Sequence, residues 1–441
     1  MAKPLVALVG RPNVGKSSIF NKITGKRIAI VEDTPGVTRD RLYADAFWKN
    51  RDFTVIDTGG LDMESEEVLL SQMRYQAAIA VDTADVIIFV VDARQGIIPD
   101  DYEVAQFLRK SKKPVLLAVN KVDHISYEDH KYEFYELGFG EPYPTSATQG
   151  MGLGDLLDEV VAHFPDADAQ QEEGSNIKIA AVGKPNAGKS SLVNAIIGDE
   201  RVIVSDIPGT TRDAIDTPFT RDGREYTLID TAGIRRKSKI DDESLERYSV
   251  IRALGAIRRS DVAVLVIDAN EGVSEQDAKI AGYVDEMGKP SVIVVNKWDL
   301  IDKETGTLEK FSQRVYSSLY FIHYAPMVFI SCKTGQRIDR VLQLSAEVYE
   351  KSRFRISTGI LNEVTTNAVA AVSPPSVKGR KLNILYATQA SSAPPNFVIF
   401  CNDAELMAPQ YLKYLENYYR KTFDLSGTPI KLTLKTRSRK E

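Results

Sequence analysis

Continuous runs of Val, Ile, Leu and Ala alternate with amphipathic stretches over the first 350 residues of the chain. Such runs are typical of strands covered on both faces, and their alternation with helical patterns predicts a mostly parallel α/β sheet with helices on both faces. The pattern occurs twice. The first set of predicted strands is Leu5–Val9, Phe53–Ile56, Val86–Val91 and Val115–Val119, and the second is Lys178–Val182, Tyr226–Ile229, Val262–Ile267 and Val292–Val295.

The pattern changes after residue 351. The predicted elements there follow the order α-β-β-α-β, which indicates a small α+β domain with an antiparallel sheet. They are helix Thr358–Val372, strands Lys381–Ala387 and Asn396–Cys401, helix Ala404–Phe423 and strand Pro429–Leu434. A polar, acidic stretch, PDADAQQEEGSN, separates the two α/β halves and reads as a flexible linker. We therefore predict a first α/β domain at 1–165, a linker at 166–176, a second α/β domain at 177–350 and an α+β domain at 351–441.

Length and composition agree with this division. A chain of 441 residues suits about three domains, and 43% hydrophobic with 27% charged residues is typical of a soluble globular protein. The two cysteines, Cys332 and Cys401, provide neither a disulfide framework nor a metal cluster, as expected for a cytoplasmic protein. The apolar run near the N-terminus is too short for a signal peptide, and no stretch approaches the roughly 20 apolar residues that span a membrane.

Charge is distributed unevenly along the chain. The segment from Ser352 to Glu441 has 13 Lys and Arg against 6 Asp and Glu, whereas the whole chain has a net charge of −5. A basic C-terminal domain beside an acidic remainder suggests a nucleic-acid partner.

Two glycine-rich loops fit the eight-position pattern of nucleoside-triphosphate binding. They are Gly10-Arg11-Pro12-Asn13-Val14-Gly15-Lys16-Ser17 and Gly183-Lys184-Pro185-Asn186-Ala187-Gly188-Lys189-Ser190. Their backbone N–H groups can cradle phosphates, while Lys16 and Lys189 contact the β- and γ-phosphates and the hydroxyls of Ser17 and Ser190 ligate Mg²⁺. One such loop can also be a strand–helix turn without a ligand. Two copies in register indicate a duplicated nucleotide-binding domain.

An acidic motif follows the second predicted strand of each set at the same offset. It reads Asp57-Thr58-Gly59-Gly60 in the first half and Asp230-Thr231-Ala232-Gly233 in the second. A carboxylate at the C-terminal end of a parallel strand lies where such sheets bind nucleotides, so Asp57 and Asp230 are candidates for holding Mg²⁺ through water. Gly60 and Gly233 are expected to approach the γ-phosphate. An ordinary Asp-Gly turn explains one copy but not the matched spacing.

A third repeated motif indicates the base. It reads Asn120-Lys121-Val122-Asp123 in the first half and Asn296-Lys297-Trp298-Asp299 in the second. An Asp carboxylate can accept hydrogen bonds from the N1–H and the exocyclic amino group of guanine, a donor pair that adenine lacks. The Lys stem can cover the base and the Asn can brace the loop. Downstream, Ser146-Ala147 and Ser331-Cys332 stand where a backbone N–H could meet the guanine O6.

These motifs, in this order, are those of the translation-factor class of GTPases. Two such domains in tandem, followed by a small α+β domain, resemble the bacterial Der (EngA) family of ribosome-assembly GTPases. The resemblance implies a C-terminal KH-like domain, GTP hydrolysis with Mg²⁺, and binding to the large ribosomal subunit and its RNA by a protein that is monomeric when free and needs no membrane. It also implies that Thr38 and Thr211 are switch threonines that ligate Mg²⁺; otherwise they are solvated loop residues.

The residue after the acidic motif excludes one hydrolytic mechanism. Ras-like enzymes orient the attacking water with a Gln at this position, whereas here Leu61 and Ile234 cannot form hydrogen bonds with it. The family resemblance implies that a potassium ion beside the phosphates takes over, with Asn13 and Asn186 as side-chain ligands. Alternatively, these Asn side chains only brace their loops.

The surfaces of the two halves differ more than their motifs. After Gly233 the chain carries Arg235-Arg236-Lys237-Ser238-Lys239, against Leu61-Asp62-Met63-Glu64-Ser65 in the first half. Only the second segment is therefore a candidate for docking on RNA, and a solvated loop is the alternative. The C-terminal domain lacks the GXXG loop by which KH domains clamp RNA. A nucleotide-gated scaffold, in which one domain hydrolyses little GTP, remains the alternative function. A tRNA-modifying or membrane-trafficking GTPase has no supporting feature.

Overall fold

The structure is a computed structural model that describes most of the chain. The described residues are 3–25, 43–57, 80–81, 84–111, 113–123, 129–164, 176–199, 203–204, 216–229, 252–302, 304–377 and 380–437. The chain divides into two compact units, Met1–Glu173 and Gly174–Glu441. The predicted linker at 166–176 lies almost entirely outside the described residues.

The first unit holds a six-stranded sheet of strand order β2-β3-β1-β4-β5-β6. All neighbouring strands are parallel except the β2–β3 hairpin. The strands are β1 Leu5–Val9, β2 Tyr43–Trp48, β3 Arg51–Asp57, β4 Val86–Asp92, β5 Val115–Asn120 and β6 Tyr143–Pro144, and the helices are α1 Lys16–Thr24, α2 Pro99–Leu108 and α3 Leu153–Ala162, with a 3-10 segment at Asp129–Leu137.

This sheet has a hydrophobic core on each face. Val6 and Leu8 of β1 pack in the core formed with α1 and α3. The alternate residues Ala7 and Val9 pack in the core formed with α2. Because successive side chains of a strand point to opposite faces, a strand buried on both faces needs a continuous apolar run. The sequence pattern predicted the central strands for this reason.

The second α/β domain repeats the arrangement in a seven-stranded sheet of order β13-β12-β11-β7-β10-β9-β8. Its strands are β7 Ile177–Val182, β8 Ile203–Val204, β9 Thr217–Arg221, β10 Arg224–Ile229, β11 Val262–Asp268, β12 Ser291–Asn296 and β13 Met327–Phe329. Its helices are α4 Lys189–Ile197, α5 Glu275–Glu286, α6 Thr307–Ser318 and α7 Ile338–Arg353, with 3-10 turns at Trp298–Leu300 and Tyr320–Ile322. The prediction of two α/β domains is confirmed.

The C-terminal α+β domain has a three-stranded sheet of order β16-β17-β18. Its elements are α8 Thr358–Ala371, β14 Ser376–Val377, β15 Arg380–Lys381, β16 Ile384–Ser392, β17 Pro395–Cys401, a 3-10 turn at Ala404–Leu406, α9 Pro409–Thr422 and β18 Lys431–Thr436. The α+β prediction is confirmed, but the antiparallel prediction is wrong for the last pair, because β18 runs parallel to β17. Helix α9 forms the crossover that a parallel return requires.

The second α/β domain and the α+β domain share backbone hydrogen bonds around Gly427. Its carbonyl accepts from the Ser291 N–H at 2.9 Å, and its own N–H donates to the Tyr324 carbonyl at 2.8 Å. Gly427 has φ +74, and a Cβ there would lie 2.0 Å from Cγ1 of Val348. The Tyr324 hydroxyl donates to Asp285 of α5 at 2.7 Å. The two domains are therefore closely joined within one unit.

Candidate functional site

The phosphate loops lie at equivalent places in the two sheets. In the first domain the loop connects β1 to α1, and in the second it connects β7 to α4. Each helix starts after a glycine in the left-handed region, Gly15 with φ 98° and Gly188 with φ 100°. A helix N-terminus directly after a parallel strand presents free N–H groups and a positive dipole end, which suits a phosphate group.

The loop lysines bind backbone carbonyls at the start of their own loops. Lys16 Nζ donates to the carbonyls of Gly10 and Arg11, both at 2.7 Å. Lys189 Nζ donates to those of Gly183 at 2.7 Å and Lys184 at 2.6 Å. These contacts hold both ammonium groups inside the loop.

Burial destabilises the protonated form of Lys189, the lysine of the second loop. Desolvation of its ammonium group lowers the pKa of Lys189 to about 8, although the Asp277 carboxylate opposes the shift. The side chain as a whole is only partly buried. An anion in the loop would offset this penalty, because an opposite charge favours the protonated amine.

Each base motif is tied to its phosphate loop through the motif's Asn. Asn120 Nδ2 donates to the Val14 carbonyl at 2.8 Å, and its Oδ1 accepts from the Ala147 N–H at 3.1 Å. Asn296 Nδ2 donates to the Ala187 carbonyl at 3.1 Å, and its Oδ1 accepts from the Cys332 N–H at 3.2 Å. Both Asn side chains are buried. The N–H groups expected to meet the guanine O6 thus donate to Asn in this structure.

Two buried carboxylates that the sequence analysis missed hold the motif lysines. Lys121 Nζ donates to Asp92 Oδ2 and to the Asn13 carbonyl, both at 2.6 Å. Lys297 pairs in the same way with Asp268. Asp92 and Asp268 are 2% and 1% exposed. The signal was present in the sequence, because each Asp ends an apolar run and the two stand at matching positions.

The base-motif carboxylate of the first domain has three side-chain partners. Its Oδ1 accepts from the hydroxyls of Ser146 and of Thr148, the latter at 2.9 Å. Its Oδ2 pairs with the Arg94 guanidinium. Hydrogen bonds from Ser146, then Thr148 and then Arg94 lower the pKa of Asp123, so the carboxylate is an ionised acceptor at neutral pH.

Near the base-motif carboxylate of the second domain lies a cysteine whose thiol is neutral. Burial, with the Asp299 carboxylate as a second cause, raises the pKa of Cys332 to about 11.

The residue between the motif Lys and Asp points into the core in both domains. Val122 is buried, and Trp298 packs against Phe311 and Phe329 with ring centroids 5.4 and 4.4 Å away.

The second loop position is anchored differently in the two domains. Arg11 forms a buried ion pair with Asp101 of α2. Burial raises the pKa of Asp101, and the Arg11 charge opposes this shift. In the second domain, the Lys184 N–H donates to Asp277 Oδ1 of α5 at 3.1 Å, while its ammonium group pairs with Glu271.

The remaining predicted residues fall into three groups. Several loop side chains are exposed at the site, namely Pro12, Asn13, Ser17, Pro185, Asn186 and Ser190. Asp57 ends β3 beside Leu8 of β1 and is 4% exposed. Outside the described residues lie Thr38, Thr58, Gly59, Gly60, Leu61, Thr211, Asp230, Thr231, Ala232, Gly233, Ile234 and the segment Arg235–Lys239.

Within the described ranges, no group of three or more His, Cys, Asp or Glu side chains could hold a metal ion. No helix in the part of the chain that the structure describes is long and apolar enough to cross a membrane.

Comparisons with known proteins agree with this geometry. The family model described as "50S ribosome-binding GTPase" matches residues 5–121 and 178–297. The model described as "KH-domain-like of EngA bacterial GTPase enzymes, C-terminal" matches residues 355–435. The chain is 57% identical over 440 residues to GTPase Der of Acetivibrio thermocellus, with 100% of both chains covered. It is 56% identical over 437 residues to GTPase Der of Clostridium tetani, which covers 99% of this chain and 100% of that protein.

Both tandem domains and the C-terminal domain thus have counterparts in proteins that match along the full length. The chain therefore belongs to the Der (EngA) family of bacterial GTPases, and it is a GTP-hydrolysing enzyme with two GTPase domains and a KH-like domain.

Proposed function

We propose that this GTPase is a molecular switch that acts in assembly of the large ribosomal subunit. The observation that carries the proposal is the repetition of one nucleotide site in two domains, with a KH-like domain joined to the second. The GTPase family model that matches both domains is described as a "50S ribosome-binding GTPase", which supports a ribosomal partner. The excess of basic residues after Ser352 is consistent with an RNA partner.

Each site is proposed to recognise guanine through its motif Asp. In the first domain, Ser146 and Thr148 orient the Asp123 carboxylate and keep it ionised. It can then accept from the N1–H and the amino group of guanine, whereas adenine offers no such pair. Asp299 has the same role in the second domain. Asn120 and Asn296 link base recognition to the phosphate loops through the carbonyls of Val14 and Ala187.

The phosphates are proposed to lie in the loops, bound by backbone N–H groups and by Lys16 and Lys189. The hydroxyls of Ser17 and Ser190, in the first turns of α1 and α4, are the hard oxygen donors that Mg²⁺ prefers. Mg²⁺ bound there by a few protein ligands and the substrate phosphates needs no cluster of carboxylates, and it would neutralise charge on the β- and γ-phosphates. We assign Asp57, Asp230, Thr38 and Thr211 to the same metal.

Water positioning is proposed to depend on a monovalent cation, because Leu61 and Ile234 cannot orient a water molecule. Asn13 and Asn186 both have φ 63° and expose their side chains beside the loops, where an amide oxygen can bind K⁺. A cation there would neutralise developing charge. GTP turnover should be much faster in K⁺ than in Na⁺, and Asn13→Asp or Asn186→Asp should change this ratio in one domain only. Equal turnover in both salts would refute the proposal.

The switch function can be tested by sedimentation of the full chain with ribosomal subunits. We expect co-sedimentation with the large subunit in the presence of a non-hydrolysable GTP analogue and its loss with GDP. Binding that ignores the nucleotide, or that prefers the small subunit, would contradict the proposal. Single-turnover hydrolysis by Lys16→Ala and Lys189→Ala variants then assigns activity to each domain, since each variant leaves one site intact. Hydrolysis in only one domain would favour a nucleotide-gated scaffold.

A further inference from the structure

Each GTPase domain has a fully buried carboxylate that contacts its phosphate loop from a neighbouring helix. Asp101 is the third residue of α2 and Asp277 is the third residue of α5, so the two stand at matching positions. Both are 0% exposed, and neither belongs to a nucleotide motif. Aspartate is almost never fully buried unless its oxygens have partners, so those partners show what each carboxylate holds.

In the second domain the two oxygens of the carboxylate serve different elements. Oδ2 of Asp277 accepts from the Ser274 N–H at 3.1 Å and from the Ser274 hydroxyl at 2.7 Å, and these contacts belong to a capping box at the start of α5. Oδ1 accepts from the Lys184 N–H of the phosphate loop at 3.1 Å. The helix cap therefore accounts for only one of the two oxygens.

The residue that Asp277 holds also binds the lysine of the loop. The Lys184 carbonyl accepts from Nζ of Lys189 at 2.6 Å. Because Asp277 binds a backbone N–H, it constrains the path of the loop backbone, whose N–H groups suit phosphate. A loop that already has this path before the nucleotide arrives loses less conformational freedom on binding.

The first domain anchors its loop through a side chain instead. Oδ2 of Asp101 accepts from the Ile98 N–H at 3.2 Å and from Nε of Arg11 at 3.4 Å. Oδ1 lies 3.3 Å from the same Nε, but it accepts no hydrogen bond within the residues that the structure describes. A long side chain fixes the loop backbone less strictly than a bond to the backbone itself, so the two loops differ in how they are held.

We propose that Asp277 is a positioning residue of the second nucleotide site, which holds the phosphate loop in its binding shape through the Lys184 N–H. The inference rests on the proposed placement of the phosphates in that loop. Asp277 acts through the loop backbone and not on the nucleotide, so its loss weakens binding without removing a nucleotide contact.

The test measures the GDP affinity of the second site in the full chain by calorimetric titration, with Asp123→Asn removing guanine recognition from the first site. Asp277→Asn keeps an acceptor for the Lys184 N–H, whereas Asp277→Ala removes it. Both variants lack the carboxylate charge, so repulsion between that charge and the phosphates cannot explain a difference between them. Asp277→Ala should bind GDP about tenfold more weakly than Asp277→Asn, the effect of about one hydrogen bond.

Ser274→Ala is the matched control, because it removes the hydroxyl of the helix cap and keeps the Asp277 carboxylate. It should lower the free energy of unfolding in urea titrations and leave the GDP affinity within about twofold. Equal affinities of the two Asp277 variants, or a loss in Ser274→Ala as large as in Asp277→Ala, would overturn the inference, since Asp277 would then only cap α5. If Lys189→Ala leaves the GDP affinity unchanged, the proposed phosphate site itself is wrong, whatever the Asp277 variants show.

Discussion

Replacing Gly188 by Ala should separate the phosphate loop from the base motif in the second domain. A Cβ at this position would lie 2.0 Å from Nδ2 of Asn296, and the backbone has φ +100. The buried Asn296 amide would have to move, which removes its bonds to the Ala187 carbonyl and the Cys332 N–H. No flexible end of a long side chain lies there to absorb the clash.

The expected magnitude follows from these contacts. Two hydrogen bonds contribute about 1 kcal/mol each, whereas the strain of a side chain at positive φ is present with and without nucleotide and does not enter the affinity. The sum of about 2 kcal/mol corresponds to roughly 30-fold in affinity. The cost falls on nucleotide binding, because binding requires both loops in the arrangement that Asn296 holds.

The measurement is the GDP affinity of the second site in the full chain, with Asp123→Asn silencing the first. Gly306→Ala is the matched control, since Gly306 has φ +82 and a Cβ there would meet nothing within 4 Å. It carries the backbone strain without the clash and should leave the affinity within about threefold. Equal effects of the two substitutions would refute the reasoning, because the loss would then not arise from Asn296.

Two further predictions concern titratable groups. Because Lys189 loses its proton as the pH rises through about 8, whereas bound phosphate keeps it protonated, the GDP affinity of the second site should fall about fourfold between pH 7 and pH 8.5. A flat titration series in a chain carrying Asp123→Asn would contradict this. Tyr324→Phe removes the donor to Asp285, whose pKa burial already raises, and should lower the free energy of unfolding by about 1–3 kcal/mol at neutral pH. The loss should shrink as Asp285 is protonated at lower pH. Tyr316→Phe, which removes a bond to a neutral carbonyl, should cost less in the same urea titrations.

Sequence patterns predicted the strands buried on both faces and missed the edges. Val86–Asp92 and Val262–Asp268 are continuous apolar runs because both faces are covered. The edge strand Tyr43–Trp48 and the strand Thr217–Arg221, which lies next to the edge strand Ile203–Val204, mix polar and apolar residues, and their pairing depends on a neighbouring strand. The direction of β18 likewise depends on the crossover helix α9 that precedes it, and not on the residues of the strand itself.

Helix α9 shows a similar limit. Periodicity predicted one helix from Ala404 to Phe423, but the helix begins at Pro409 after a separate 3-10 turn. Proline is favourable at the first helical position because its missing N–H has no partner there in any case. The proline therefore marks the start of the helix in the sequence, and the prediction from apolar periodicity alone placed that start too early.

The motifs located the candidate site, but not the residues that hold the motifs in place. Spacing identified Lys121 and Asp123, since phosphate and base chemistry prescribe those residue types. Asp92 and Arg94 belong to no nucleotide motif, and only folding brings them to Lys121 and Asp123. Comparing the two halves of one chain would have found Asp92, because its counterpart Asp268 is unchanged.

The joint around Gly427 has a consequence for chimaeric proteins. A foreign side chain at Gly427 meets Val348 of α7, and the Gly427 backbone pairs with Ser291 and Tyr324 of the GTPase domain. A KH-like domain transplanted from a relative must therefore have a glycine at this position, because the gap beside Val348 has no room for a larger residue. The second GTPase domain and the KH-like domain are thus exchangeable as a pair more readily than one by one.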